Sequence, residues 1–253
     1  ICPGSRNQPL LNILLNEPKL KKWYGFEERS SAFFALGRIR QTKRPVAVLV
    51  TSGTAVGEML PAAMEAYYTS LPLVLLTADR PERCRHLNTP QTCDQDNIFG
   101  IYAQEIYEWD GRQPVHVNVR LEEPARKFIA TPQLNFDKEI TPHVPIGGYE
   151  KLLEFYAKVK QPLVIVSSLK EVRAVKSFLL QLNATLYIEA ISQLREDPDL
   201  LPLSTNNPTL YKVDGVLRIG GVPTHRIWRD LDDLDIPVLS ITDSPFSGVT
   251  NGD

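Results

Sequence analysis

The chain has 253 residues, 43% of them hydrophobic and 23% charged, a length and balance suited to two globular domains. Its net charge of -2 gives no electrostatic basis for binding nucleic acid or an anionic membrane surface. Apolar runs such as Pro45-Val46-Ala47-Val48-Leu49-Val50 are too short to span a bilayer, and Cys2, Cys84 and Cys93 show no metal-ligand spacing, which fits free thiols in a reducing cytoplasm.

In chain order, Ile1-Cys2 reads as the tail of a strand, followed by the loop Pro3-Gly4-Ser5-Arg6-Asn7. Because a sheet rarely begins at the last turn of a strand, a fragment is expected. Leu10 to Leu15 suggests a short helix. Trp23, Tyr24 and Phe26 mark an extended segment that gives way at Glu27-Glu28 to a strongly apolar helix over Ser31 to Ile39. Val46 to Val50 predicts a strand buried on both faces. Gly57 to Tyr68 has helical periodicity, with Pro61 either in its first turns or kinking it. Leu73 to Leu76 predicts another buried strand, ending in Thr77-Ala78-Asp79-Arg80-Pro81. Val115 to Val119 alternates and is expected as the last strand of a first domain, residues 1–129.

Residues 130–149 carry Pro132, Pro142, Pro145 and Gly147-Gly148 without sustained periodicity, the composition of a linker. A second β/α series, residues 150–253, follows. Strands are predicted at Leu163 to Val166, Thr185 to Ile188, Gly215 to Ile219 and Val238 to Ile241, with helices at Glu171 to Leu182 and Arg226 to Leu234. Alternating β and α elements imply an α/β protein of two doubly wound domains with parallel sheets, the second Rossmann-like.

In open parallel sheets, ligands bind beyond the carboxyl ends of the strands. The first domain places Pro3 to Asn7, Glu27-Glu28-Arg29, Thr51-Ser52-Gly53-Thr54 and Thr77 to Pro81 at such ends. Each segment has an ordinary structural explanation. Acids are favoured in a first helical turn by the helix dipole, hydroxyls cap helices, and arginines decorate surfaces. Capping accounts for one of Glu27 and Glu28; four polar loops at one edge ask for more. A carboxylate there with apolar neighbours would keep its proton more readily. In the second domain, Gly220-Gly221 after a strand permits close approach of a phosphate. There is no G-x-G-x-x-G and no acidic residue at the ribose spacing, so a structural turn is the better reading. His86, His116, His143 and His225 form no ligand pair, and His116, alternating in a strand, reads as structural. Cys84 and Cys93 have no identifiable histidine partner, so no nucleophile is assigned.

Taken together, Cys2-Pro3-Gly4-Ser5-Arg6, Glu28-Arg29-Ser30-Ser31-Ala32-Phe33-Phe34-Ala35-Leu36-Gly37, Thr51-Ser52-Gly53-Thr54-Ala55-Val56 and Leu76-Thr77-Ala78-Asp79-Arg80-Pro81 resemble the N-terminal part of a known family. This is the family of thiamine-diphosphate-dependent 2-succinyl-5-enolpyruvyl-6-hydroxy-3-cyclohexene-1-carboxylate synthases of menaquinone and phylloquinone synthesis. Pro90-Gln91-Thr92, Asn97-Ile98-Phe99-Gly100 and Pro114 to Val119 extend the likeness. It is specific over the first half and rests only on the β/α pattern and Gly220-Gly221 over the second. The segment from Tyr102 to Pro114 is shorter than the family's.

The resemblance implies a pyrimidine-binding-type domain, a central domain and a diphosphate-binding domain. The third is absent here, since no Gly-Asp-Gly followed by a downstream Asn occurs and Asn251-Gly252-Asp253 does not supply it. It implies that Glu28 bonds the pyrimidine N1′ of thiamine diphosphate, with Thr51, Ser52, Gly53 and Thr54 on the cofactor side. Ser5, Arg6, Arg80 and Gln91 would then face the substrate. It further implies decarboxylation of 2-oxoglutarate and carboligation to isochorismate, Mg2+ held in the absent domain, a cytoplasmic homodimer or homotetramer, and an isolated fragment without activity. The alternatives are another thiamine-diphosphate decarboxylase of the acetohydroxyacid-synthase kind, disfavoured by Arg6, Arg80 and Gln91, and a non-catalytic binding module that keeps the fold.

Overall fold

Valine and leucine runs without charges form strands covered on both faces, and here they form two all-parallel sheets. The computed structural model describes residues 1–122, 148–203, 212–226 and 234–246. It divides into two units, Ile1–His143 and Val144–Asp253. The linker expected over residues 130–149 lies outside the described residues up to 147, as do most of the helix expected at Arg226 to Leu234 and the terminal Asn251-Gly252-Asp253.

In the first unit, α1 (Gln8–Leu15) and α2 (Glu28–Thr42) precede β1 (Val46–Val50). Next come α3 (Thr54–Gly57), α4 (Leu60–Tyr68) and β2 (Leu73–Asp79), then the two-residue β3 (Gln104–Glu105) and β4 (Val115–Arg120). The sheet order is β1-β2-β4-β3, with Val50 opposite Thr77 and Asp79 opposite Arg120. The strand ends therefore share one edge. On one face, Val48, Val50, Leu73 and Leu75 join a core with Ala32, Ala35, Leu36 and Ile39 of α2 and with Ala62, Ala63 and Ala66 of α4. The alanines let both helices approach closely.

Three elements differ from the sequence reading. The helix expected from Gly57 to Tyr68 begins earlier and is broken in two at Glu58 and Met59. Pro61 lies in the first turn of α4, where its missing N–H costs nothing; inside a continuous helix its ring would meet the carbonyl of Gly57. Strand β2 does not stop at Leu76 but runs to Asp79, because the polar tail is satisfied laterally: Thr77 Oγ1 bonds His116 and Asn118, and Asn118 Nδ2 donates to Asp79. Helix α2 is not strongly apolar: it buries Ala32, Ala35, Leu36 and Ile39 and leaves Phe33 and Phe34 about half exposed. The extended segment before it bridges to the chain start, from Ile1 N to Trp23 O (2.9 Å) and from Gly25 N to Ile1 O (2.9 Å), while Cys2 N donates to Leu49 O.

In the second unit, α5 (Tyr149–Lys158), β5 (Pro162–Val166), α6 (Val172–Leu179), β6 (Thr185–Ile188), β7 (Gly215–Ile219) and β8 (Val238–Ile241) form a sheet of order β6-β5-β7-β8. Alternate residues feed two cores. Val164, Val166, Leu186, Ile188, Leu217 and Ile219 face one side, and Leu163, Ile165, Tyr187, Val216 and Val238 the other. Helix α5 was not anticipated, although Leu152, Phe155, Tyr156 and Val159 carry the i, i+3, i+4, i+7 pattern and enter the first of these cores. The buried Arg218 donates from Nη2 to Phe246 O. No helix among the described residues is long and apolar enough to cross a membrane.

Candidate active site

The acidic pair at the start of α2 separates into two roles. Glu27 is the N-cap: its carboxylate accepts from Arg29 N (3.0 Å), Ser30 N (2.7 Å) and the Ser30 hydroxyl. The Ser30 bonds hold the Glu27 carboxyl below its usual pKa. Glu28, one residue on, is half-buried and has no hydrogen-bond or ion-pair partner among the described residues. Helix capping thus explains Glu27 alone. The apolar enclosure expected around Glu28 is not made by these residues, because Tyr24 and Phe26 beside it are exposed.

Next along the edge lies the turn after β1. Thr51, Ser52 and Gly53 are buried and Thr54 is exposed. Gly53 has φ +80°, and a Cβ there would come within 2.7 Å of Gln91 O, so the turn admits only glycine. The loop after β2 closes on this turn. Ser52 Oγ donates to Gln91 O (3.0 Å) and Gln91 Nε2 returns a bond to Ser52 O (3.2 Å). Arg80 Nη2 donates to Pro90 O (2.9 Å), joining the end of β2 to the same loop. Arg6 is 8% exposed and donates from Nη1 to Leu121 O, just past β4. Ser5 is exposed, and Asn7 is buried with its side chain bridging Gly4 N and Cys2 O.

The structure therefore joins Ser52, Gly53, Arg80 and Gln91 through one loop. Arg6 reaches the same edge through its bond to Leu121 O, whereas Ser5 and Glu28 are not joined to this loop.

Beneath this edge lies a buried polar network that the sequence reading missed. Gln95, fully buried, accepts from Gly53 N (2.9 Å) and donates to Ala78 O (3.1 Å) and Asn118 Oδ1 (2.9 Å). Thr77 Oγ1 also donates to Asn118 Oδ1 (2.8 Å) and so accepts from His116 Nε2 (2.8 Å), which places the proton of a neutral imidazole on Nε2. Burial pushes the His116 pKa down to about 4, and Phe99 packs edge-on against its ring at 4.8 Å. The structural reading of His116 stands. Its signal in the sequence was the pair His116 and Asn118, polar at i and i+2 on one face of an apolar strand. The Cys93 thiol has its pKa raised by burial, which disfavours a nucleophilic thiolate.

In the second unit the corresponding edge is closed. Gly220 has φ +92° and a Cβ there would lie 2.4 Å from Ser168 O; Gly221 N donates to that same oxygen (2.9 Å). The amides of Thr224 and His225, which would suit an anion, donate instead to buried Glu189 Oε1 (2.8 and 2.9 Å), and Ser167 Oγ donates to Oε2. Gly220-Gly221 is a structural turn.

Residues 1–98 match the family model "Thiamine pyrophosphate enzyme, N-terminal TPP binding domain". Solved structures agree on the fold. A benzoylformate decarboxylase from Polynucleobacter necessarius matches with TM-score 0.74 at 17% identity, over 99% of this chain and 54% of that one. A putative thiamin diphosphate-dependent enzyme from Mycobacterium smegmatis gives 0.69 at 15% identity, over 99% and 56%. The chain is thus of the thiamine-pyrophosphate-enzyme class.

Within that class, it is 40% identical to the 2-succinyl-5-enolpyruvyl-6-hydroxy-3-cyclohexene-1-carboxylate synthase of Bdellovibrio bacteriovorus, over 99% of this chain and 53% of that protein. It is 38% identical to the synthase of Akkermansia muciniphila, over 98% and 51%. The chain belongs to this synthase family and spans about half the length of these relatives.

Proposed function

We propose that this chain supplies the pyrimidine-side half of a thiamine-diphosphate site in an enzyme that decarboxylates 2-oxoglutarate and joins the remainder to isochorismate. In this reading the first domain holds the site, residues 130–149 form a linker, and the central domain follows. The observation that carries the reading is the division of labour at the start of α2, where Glu27 caps the helix and the Glu28 carboxylate has no partner among the described residues.

These residues fit the pyrimidine half of the cofactor. A carboxyl at Glu28 can share a proton with a ring nitrogen. Bound there, thiamine diphosphate supplies a carbon nucleophile and a sink for the electrons released by decarboxylation. The chain's own part is to hold the proton at Glu28 and to orient the ring with Ser52, Gly53 and Thr54. Arg6, Arg80, Ser5 and Gln91 meet substrate carboxylates, two of which isochorismate carries, by charge-assisted hydrogen bonds. Mg2+ and the diphosphate belong to the third domain of the family.

Exposed Tyr24, Phe26, Phe33 and Phe34 around Glu28 support a homodimer or homotetramer in which a second subunit excludes water from the carboxylate. The cytoplasm is the expected location.

The test is product formation by the full-length gene product that contains these residues, with thiamine diphosphate and Mg2+. Isochorismate plus 2-oxoglutarate should turn over, and pyruvate should not replace 2-oxoglutarate. Preference for pyruvate, or no turnover with any pair, rejects the reading.

A further inference from the structure

We infer that Gln95 is a positioning residue of this site, fixing the Ser52–Gly53 peptide against which the cofactor ring would lie; the inference rests on the reading under Proposed function. That peptide is held at both ends. Its carbonyl, Ser52 O, receives Gln91 Nε2 at 3.2 Å, and its amide, Gly53 N, donates to Gln95 Oε1 at 2.9 Å.

A peptide next to a glycine with φ +80° has little intrinsic preference for its orientation, because no Cβ resists rotation. Its direction is therefore set by its hydrogen-bond partners. Of the two glutamines, Gln91 is exposed and available to a substrate, whereas Gln95 is fully buried. Gln95 is itself fixed by its two other bonds, to Ala78 O of β2 and to Asn118 Oδ1 of β4. One carboxamide thus ties the ends of β1, β2 and β4 into a single frame, and only a carboxamide offers one acceptor and two donors in that arrangement.

Two substitutions in the full-length enzyme separate positioning from simple support. Gln95→Met keeps the volume and loses all three bonds. Gln95→Glu turns an anionic carboxylate toward two acceptors, Ala78 O and Asn118 Oδ1, so that it takes up a proton and restores a donor as pH falls. Binding of thiamine diphosphate with Mg2+ is followed by intrinsic fluorescence well below the melting temperature.

The expected results are a Kd raised roughly tenfold or more in Gln95→Met, and in Gln95→Glu a variant-to-wild-type Kd ratio that falls toward one as pH drops from about 8 to about 6. A purely structural Gln95 would lower the melting temperature and leave both ratios at one, which overturns the inference while the functional reading stands. A wild type that does not bind the cofactor overturns both.

Discussion

At the C-terminal edge of the first sheet, Glu28 has no partner among the described residues. At the same edge of the second sheet, Glu189 takes four hydrogen bonds, from Ser167 Oγ, Thr224 N, Thr224 Oγ1 and His225 N. Both edges end parallel strands and both have a glycine turn with positive φ. In the second unit the chain's own groups meet the carboxylate, as a ligand's would. In the first, capping falls to Glu27 and Glu28 is left for something else. A parallel sheet edge is a binding site only where its polar groups are not already used by the fold.

The comparison breaks most sharply at Glu28. In the full-length enzyme Glu28→Gln should lower turnover by roughly 10²–10⁴-fold, the range for loss of a positioned proton-transfer group. Unfolding free energy should stay within about 0.5 kcal/mol, because no described residue bonds that carboxylate. Turnover at the wild-type rate would remove Glu28 from the site. Glu189→Ala should do the reverse. It leaves four donors, the hydroxyl of buried Ser167, the amide and hydroxyl of Thr224 and the amide of His225, without their carboxylate acceptor and should cost about 3 kcal/mol in chemical denaturation, while kcat of the folded enzyme stays unchanged.

Next is the pH dependence that the first unit carries beneath its open edge. His116 has an ordinary pKa of 6.5 and a folded value near 4, so between those values the unfolded chain binds a proton that the folded chain refuses. The stability present above pH 6.5 is lost as pH falls toward 4, by about 3 kcal/mol in all. Denaturation measured across that interval should show the loss in wild type and a flatter profile in His116→Gln, which keeps a donor toward Thr77. An unaltered profile in the variant would assign the pH dependence to other groups.

How much of this was legible beforehand differs between strands and side chains. The strands of both sheets could be read because they are apolar runs: Leu163 to Val166 is buried on both faces and Val46 to Val50 in its last three residues, with Ala47 exposed. The same criterion cut β2 short at Leu76, since the partners that bury Thr77 and Asp79 lie about forty residues away at His116 and Asn118. Glu28 could be singled out, but its separation from Glu27 needed the cap geometry. Gln95 could not be found: it sits in a polar loop, Cys93-Asp94-Gln95-Asp96, and nothing local distinguishes the one side chain that turns inward. Gly220-Gly221 was ambiguous because a turn that admits a phosphate and a turn that admits Ser168 O ask for the same residue.

That ambiguity gives the smallest and most direct test. Gly53→Ala and Gly220→Ala each place a Cβ on a left-handed backbone against a carbonyl oxygen, Gln91 O at 2.7 Å and Ser168 O at 2.4 Å. Each should cost about 2 kcal/mol of stability by thermal or chemical denaturation, from strain and displacement of the opposing loop. The two variants match in the folding measurement and should part in the kinetic one. Moving the loop opposite Gly53 shifts Gln91 and the Ser52–Gly53 peptide, so Gly53→Ala should also raise the cofactor requirement. Moving the loop opposite Gly220 displaces only Ser168 and the turn that packs on it, so the cofactor requirement of Gly220→Ala should match that of wild type. If both variants alter it equally, the second edge takes part in the reaction after all, and the contrast between an open and a closed edge fails.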